Sequence, residues 1–315
     1  MRRKTRFILI ETGTVMIAIS ILAYFMIPRF LDAQNINTPR CIPDPLFRAF
    51  LEEHFQVEPG SAITMKQVRE MKVLALTPHR LVDHLMSPKN AAHFIFSPTE
   101  YNRTMDRITS RLGTSKIPLV LTDLHYFDHL EELYCSSQSV SKLDISMLSN
   151  LKILECASCG ISSLDLTRNP HLQMIDCPGN LLTHLDVSKN PRLTVMNCRN
   201  NQLSELDISK NPMLTRLDCS MNRLNSIDVS QNLQLTHLDV SFNQLTRIPD
   251  LRQHGKLEAL SVEFNLLGKE ALPIIANIRD RFTGEWSILG DKVYRGFLYE
   301  EQQNGIVLKL EEPTP

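Results

Sequence analysis

Leu193-Thr-Val-Met196-Asn-Cys198-Arg-Asn-Asn201-Gln-Leu203-Ser-Glu-Leu206-Asp-Ile208-Ser-Lys-Asn211-Pro212 is one copy of a unit that recurs through the middle of this 315-residue chain. Cys135, Cys156, Cys177, Cys198 and Cys219 each follow the last by 21 residues, and Leu130, Leu151, Leu172, Leu193, Leu214 and Leu235 keep the same step. So do Leu133, Leu154, Ile175, Met196, Leu217 and Leu238. In the quoted copy Met196 and Cys198 flank the polar Asn197, the alternation of a short strand that turns two apolar side chains to one face. Leu203, Leu206 and Ile208 form a second apolar edge. It ends in Asn211-Pro212, as earlier copies end in Asn169-Pro170 and Asn190-Pro191. Asn-Pro favours leaving an extended segment for a turn.

A period of about 20–29 residues with the pattern L-x-x-L-x-(L/C)-x-x-N-x-L is the leucine-rich repeat signature. The predicted fold class is an α/β repeat solenoid: short parallel strands stacked about 4.8 Å apart, with a helical amino-terminal cap and an α+β carboxyl-terminal cap. The copies are too short to carry a long helix on the convex side. Identical positions in successive copies touch, so the core is a set of one-residue ladders. Cys suits such a rung because it packs as a small hydrophobe. Parallel strands hold neighbouring thiols side by side at poor disulfide torsion, which predicts five free buried cysteines. The column Asn180, Asn201, Asn222, Asn243 and Asn265 is placed to turn inward and hydrogen-bond the backbone of the bend. Gln138 and Cys159 replace it in the first two copies, and those turns are expected to be less regular. The sixth copy runs one residue longer before Leu257, and the array ends after Asn265.

The outward positions of the strands form two further columns. One runs Glu132, Ile153, Met174, Val195, Arg216, His237. The next runs Tyr134, Glu155, Asp176, Asn197, Asp218, Asp239. Ile153, Met174 and Val195 lie beside an acidic row. Either the row solvates the face or the two columns form a binding patch with an apolar centre and a charged rim. On the second reading Met174 is a surface residue, and Met174→Asp changes stability by no more than about 0.5 kcal/mol. Cys177→Asp buries an unpaired charge and unfolds the neighbouring copies.

Around the array the chain divides into a basic start with an apolar segment (1–34), a linker and helical cap (35–118), the repeats (119–267) and a carboxyl-terminal cap (268–315). Arg2-Arg3-Lys4-Thr5-Arg6 precedes an apolar run from Phe7 to Pro28. A run near 20 residues behind positive charge is expected to span a membrane with the amino end in the cytoplasm. A cleaved signal peptide is the other reading. In the cap, Asp44-Pro45 starts one helix, with Leu46, Phe47, Phe50, Leu51 and Phe55 on one face. Thr64-Met-Lys-Gln67 and Ser97-Pro-Thr-Glu100 are capping boxes that start others. The first is followed by Val68, Met71 and Leu74. Thr77-Pro78 opens a further helix. Near the carboxyl end 269–282 reads as a helix. Trp286 to Ile288, Val293 to Phe297 and Ile306 to Leu310 read as short strands.

Net charge is -1 at pH 7, without the clustered basic surface of a nucleic-acid binder. No catalytic or metal signature stands out, and no phosphate loop is present. His125 and His129 have ligand-like spacing but no third ligand beside them. The expectation is a protein that is not an enzyme and carries no cofactor or metal.

Two resemblances extend this reading. Ile42-Pro-Asp-Pro-Leu-Phe47-Arg-Ala-Phe-Leu51, Leu124-His-Tyr-Phe127-Asp-His-Leu130-Glu-Glu-Leu133 and the copies of Leu-Asp-Cys-Ser-x-Asn-x-Leu with Leu-Asp-Val-Ser-x-Asn-Pro resemble secreted bacterial leucine-rich repeat proteins. The resemblance covers 42–75 and 119–267 and leaves 76–118 as an addition. Relatives often carry an Asp-rich calcium loop after the first helix. Here Gln56 to Ile63 lacks that run of ligands, so no calcium site is expected. Phe7-Ile-Leu-Ile-Glu11, with Ile27-Pro28 further on, is similar to the amino-terminal helix of type IV pilins, although Arg6 stands where those proteins carry a processing Gly. A charge inside a spanning segment, here Glu11, is usually functional. The first resemblance implies a protein-interaction or adhesion module of the bacterial cell envelope, anchored or secreted, that engages another protein or a surface glycan. The second implies a subunit of a filament.

Overall fold

The computed structural model describes residues 45–76, 107, 110, 124–138, 140 and 142–268, together with the backbone of four strands between 286 and 310. The amino-terminal apolar run, the helices read at 77–112 and the helix read at 269–282 lie outside the described residues.

Helix α1 spans Pro45–His54 and buries Phe47, Ala49, Phe50 and Leu51. Helix α2 spans Met65–Glu70 and opens on the capping box read from the sequence. The Thr64 side chain accepts from the Gln67 N–H, and the Gln67 side chain accepts from the Thr64 N–H at 2.8 Å. The sequence pattern carried this helix through Leu74, and the structure corrects that. The helix stops at Glu70, and Val73–Ala75 form strand β1. Met71 has already left the helix for extended backbone at ψ 125°, which lets Leu74 become the first core rung instead of a helical residue.

Strand β1 pairs in parallel with β2 (Glu132–Tyr134). The sheet continues through β3 (Ile153–Glu155), β4 (Met174–Asp176), β5 (Val195–Asn197), β6 (Arg216–Asp218), β7 (His237–Asp239) and β8 (Ala259–Ser261). The order is sequential and the pairing parallel throughout, as a stacked repeat demands. Leu133, Leu154, Ile175, Met196 and Leu217 pair rung by rung at the repeat spacing. Leu74 pairs with Leu133 although 59 residues separate them. The added segment read at 76–118 therefore falls between the first two strands of one sheet. In the last region Trp286–Ile288 (β9) pairs with Lys292–Tyr294 (β10), and Phe297–Gln302 (β11) with Gly305–Leu310 (β12), all antiparallel. The single strand read over 293–297 is thus divided between two hairpins.

The core is built of ladders. Cys135, Cys156, Cys177, Cys198 and Cys219 are fully buried and free, and Val240 and Val262 continue their column. Two Asn ladders hold the bends. Asn201 donates from Nδ2 to the Cys177 and Cys198 carbonyls, at 3.1 and 3.0 Å, and accepts at Oδ1 from the Leu182 N–H at 3.1 Å. Asn180, Asn222, Asn243 and Asn265 repeat the arrangement. The two irregular positions do the same work with other atoms. Gln138 Nε2 donates to the Leu76 carbonyl at 3.1 Å, and the Cys159 thiol donates to the Cys135 carbonyl at 3.0 Å. A second ladder runs Asn169, Asn190, Asn211 and Asn232, of which the Asn-Pro pattern marks the first three as turns only. Asn190 Nδ2 donates to the Leu166 and Asn169 carbonyls, and Asn232, which precedes Leu, bonds in the same way. The Asn side chain, not the Pro, is the constant element. In the longer sixth copy the buried His254 takes this place, with Nε2 3.1 Å from the Val229 carbonyl.

Candidate functional site

The strands alternate, so residues on either side of each core rung face the concave side. The first outward column is Val73, Glu132, Ile153, Met174, Val195, Arg216, His237 and Ala259, and the second is Ala75, Tyr134, Glu155, Asp176, Asn197, Asp218, Asp239 and Ser261. A third column, two residues further along, was not anticipated: Ser136, Ala157, Pro178, Arg199, Ser220, Ser241 and Glu263.

The face has two halves of different character. In the amino-terminal half Val73, Ala75, Tyr134, Ile153, Met174 and Val195 pack into a second apolar cluster, separate from the main core. Met174 is 1% exposed and Val195 7%. The expectation of an exposed trio is corrected here. Side chains on strands about 4.8 Å apart cover one another's flanks, and the unforeseen strand β1 adds Val73 and Ala75 to the group. Tyr134, Glu155 and Asp176 are also buried rather than exposed. One polar atom of each is held in a hydrogen bond, while Asp176 Oδ2 is buried without one. Tyr134 donates to Glu132 Oε2 at 2.8 Å, Ser136 Oγ to Glu155 Oε1 at 2.9 Å, and Asn197 Nδ2 to Asp176 Oδ1 at 2.7 Å. Burial first, then the neighbouring Glu155 charge, pushes the Asp176 carboxyl up to about 7.

The carboxyl-terminal half is open. Asn197, Arg216, Asp218, His237 and Asp239 are half-buried. Asp218 Oδ1 accepts from the Ser220 N–H at 3.0 Å and its hydroxyl at 2.6 Å, and Asp239 Oδ1 accepts from Ser241 in the same geometry. Burial pushes the His237 imidazole below its usual range, and the Arg216 charge adds to that. Where the chain leaves each strand from β2 to β8, one residue takes left-handed backbone. These are Ser137, Ser158, Gly179 and Asn200, followed by Met221, Phe242 and Phe264 at φ 54°, 50° and 55°. Ser, Gly and Asn enter this region at modest cost, while a bulky side chain there is uncommon. Met221, Phe242 and Phe264 are nonetheless exposed, and the two Phe rings stack with centroids 4.2 Å apart at 18°. A bulky residue directly before the ladder Asn, where other copies carry Ser, Gly or Asn, is the sequence signal for this strip. Among the described residues no group of three or more His, Cys, Asp or Glu is arranged to hold a metal ion.

The fold and this face define a leucine-rich repeat solenoid. Residues 234–253 match the model of the Leucine Rich Repeat family. Among solved structures, internalin C2 from Listeria monocytogenes is 14% identical, with 75% of this chain and 91% of that chain covered and a TM-score of 0.57, which is a likeness of fold. The functional domain of InlJ from Listeria monocytogenes, which includes a cysteine ladder, is 25% identical over 76% of this chain, with a TM-score of 0.47. This chain spans 54% of that one's length. YopM from Yersinia enterocolitica is 31% identical over 45% of this chain and 30% of its own, with a TM-score of 0.38. No curated protein matches the chain.

Proposed function

We propose that this protein is a non-enzymatic interaction module of the bacterial cell envelope that binds another protein through the open, carboxyl-terminal half of its concave face. The observation that carries the reading is the exposed strip Met221, Phe242 and Phe264, held in costly backbone beside half-buried charged residues. Strained backbone persists where function requires it, and exposed aromatic residues rimmed by charge are the ordinary anchors of protein interfaces. On this reading the segment 7–28 anchors or exports the chain and the repeats lie outside the cytoplasm. That segment is outside the described residues. Among those described, no helix is long and apolar enough to cross a membrane.

The test is affinity capture from surface-labelled cell extracts with the full chain, run beside a variant carrying Phe242→Ser and Phe264→Ser. Ser is the residue of two other copies at this left-handed position, so the variant is expected to fold. A partner held by the wild type and lost by the variant supports the reading. A partner that both retain equally places binding elsewhere and overturns it.

A further inference from the structure

Three carboxyl groups gather at the open end of the concave face. Asp218 and Asp239 stand opposite one another in register on β6 and β7. Each has its Oδ1 committed to the serine two residues on, Ser220 or Ser241. Glu263 lies two residues beyond β8, in the same outward column as those serines. It is 6% exposed, and its Oε2 is buried without a hydrogen-bond partner. Burial, then the charges of Asp218 and Glu263, pushes Asp239 up to about 7, and burial also raises Asp218 and Glu263. The charged and titratable groups beside this trio are Arg199 at the exit of β5, whose charge lowers Asp218 and Glu263, and Asp176 on β4, which feels the Asp218 charge, while Arg216 and His237 stand two residues before Asp218 and Asp239 on β6 and β7. Arg199 donates from Nη1 to Ser220 Oγ at 3.3 Å. Carboxyls crowded at low dielectric favour the arrival of an external cation, which relieves both their mutual repulsion and their desolvation. Phe242 and Phe264 directly follow Ser241 and Glu263 in the chain, and their stacked π faces suit both a cation and an apolar side chain.

We infer that this end of the array docks a basic segment of a partner protein: an arginine or lysine side chain enters among Asp218, Asp239 and Glu263, and an adjoining apolar residue lies on Phe242 and Phe264. The inference rests on the protein-binding reading above and narrows it to a partner chemistry. Carboxyls disfavour nucleic acid and anionic lipid, and the aromatic strip asks for more than a bare cation.

The experiment uses the full-length chain and two capped synthetic peptides, Leu-Arg-Phe-Arg-Leu and its counterpart with Gln for Arg, followed by fluorescence anisotropy. The basic peptide is expected to bind saturably and the Gln peptide about tenfold more weakly. Lowering the pH from about 7.5 to about 5.5 protonates the raised carboxyls and should weaken the basic peptide severalfold. Asp239→Asn and Glu263→Gln should each weaken it to a similar degree while melting no lower than wild type, because each removes a buried like charge. Equal binding of both peptides, no saturable binding, or binding unchanged by both carboxyl substitutions overturns the inference. A captured protein partner that is lost with the Phe substitutions but kept with the carboxyl ones leaves the interaction module standing and removes only the basic segment.

Discussion

At the scale of single residues, the concave face separates side-chain direction from exposure. Met174 points away from the main core, as alternation requires, yet it is 1% exposed because Tyr134, Ile153 and Val195 surround it. Cys177, three residues on, points into the core and is fully buried. The pair that reads from sequence as surface and core is therefore two buried positions in two clusters. Met174→Ala should cost roughly 2–5 kcal/mol, the range for truncating a packed Met. Met174→Asp should be as disruptive as Cys177→Asp, because both leave a charge without a partner in apolar surroundings. Urea titrations of the three variants check this. A Met174→Asp midpoint near wild type would mean that the cluster opens readily to water. Direction was legible from period two. Burial was not, since it depends on β1, and Val73-Leu-Ala75 is too short a run to separate a strand from the end of a helix.

At the scale of the element, two strand pairs, β3 with β4 and β6 with β7, set one acidic residue beside another. Glu155 pairs in register with Asp176, and Asp218 with Asp239. Stacking identical positions makes a good apolar ladder and a poor carboxylate one. The Asp176 carboxyl is pushed up to about 7 by burial and then by Glu155. Its unfolded value lies near 4, so between about pH 4 and 7 the folded chain holds a proton that the unfolded chain has released. The stability from that proton is complete below about 4 and is lost as pH rises through 7. A different set of carboxylates acts with the opposite sign. Asp165, Asp186, Asp207 and Asp228 accept hydrogen bonds from the residues two further on and are held below the usual range, so their contribution disappears only as pH falls below 4. Maximum stability is therefore expected near pH 4–5. Asp176→Asn should flatten the decline between 5 and 8 and raise Tm at pH 8 by about 4–8 °C, for a gain on the order of 2 kcal/mol. Melting curves across that range decide it, and an unchanged slope would show that Asp176 ionises without penalty. The acidic column itself was plain in the sequence. The third column beside it and the left-handed strip were not, because they lie past the strand, where period two no longer says which way a side chain turns.

At the scale of the whole molecule, the solenoid is uniform in its core and uneven on its face. Every copy contributes equivalent apolar rungs and bends held by side-chain hydrogen bonds, mostly from Asn, so the core alone gives each strand pair similar stability. The amino-terminal half adds the second cluster, which ties β1 through β5 on the concave side. The carboxyl-terminal half has no counterpart among the described residues and places Asp218, Asp239 and Glu263 there instead. In a repeat array, where each unit rests on its neighbours, that difference should appear as a gradient of local opening. Amide exchange followed by mass spectrometry provides the measurement. The Cys177 N–H, bonded to the Asn197 carbonyl at 2.9 Å, should be better protected than the Val240 N–H, bonded to the Ser261 carbonyl at the same distance. Since the two hydrogen bonds are alike, a difference of about tenfold would report the cluster, at roughly 1.4 kcal/mol per decade. Met174→Ala should reduce the gradient by lowering protection in β3 to β5 while leaving β7 and β8 as they were. Uniform protection along the array would make the solenoid one cooperative unit, and a reversed order would mean that the carboxyl-terminal hairpins, not the apolar cluster, hold its firmest end.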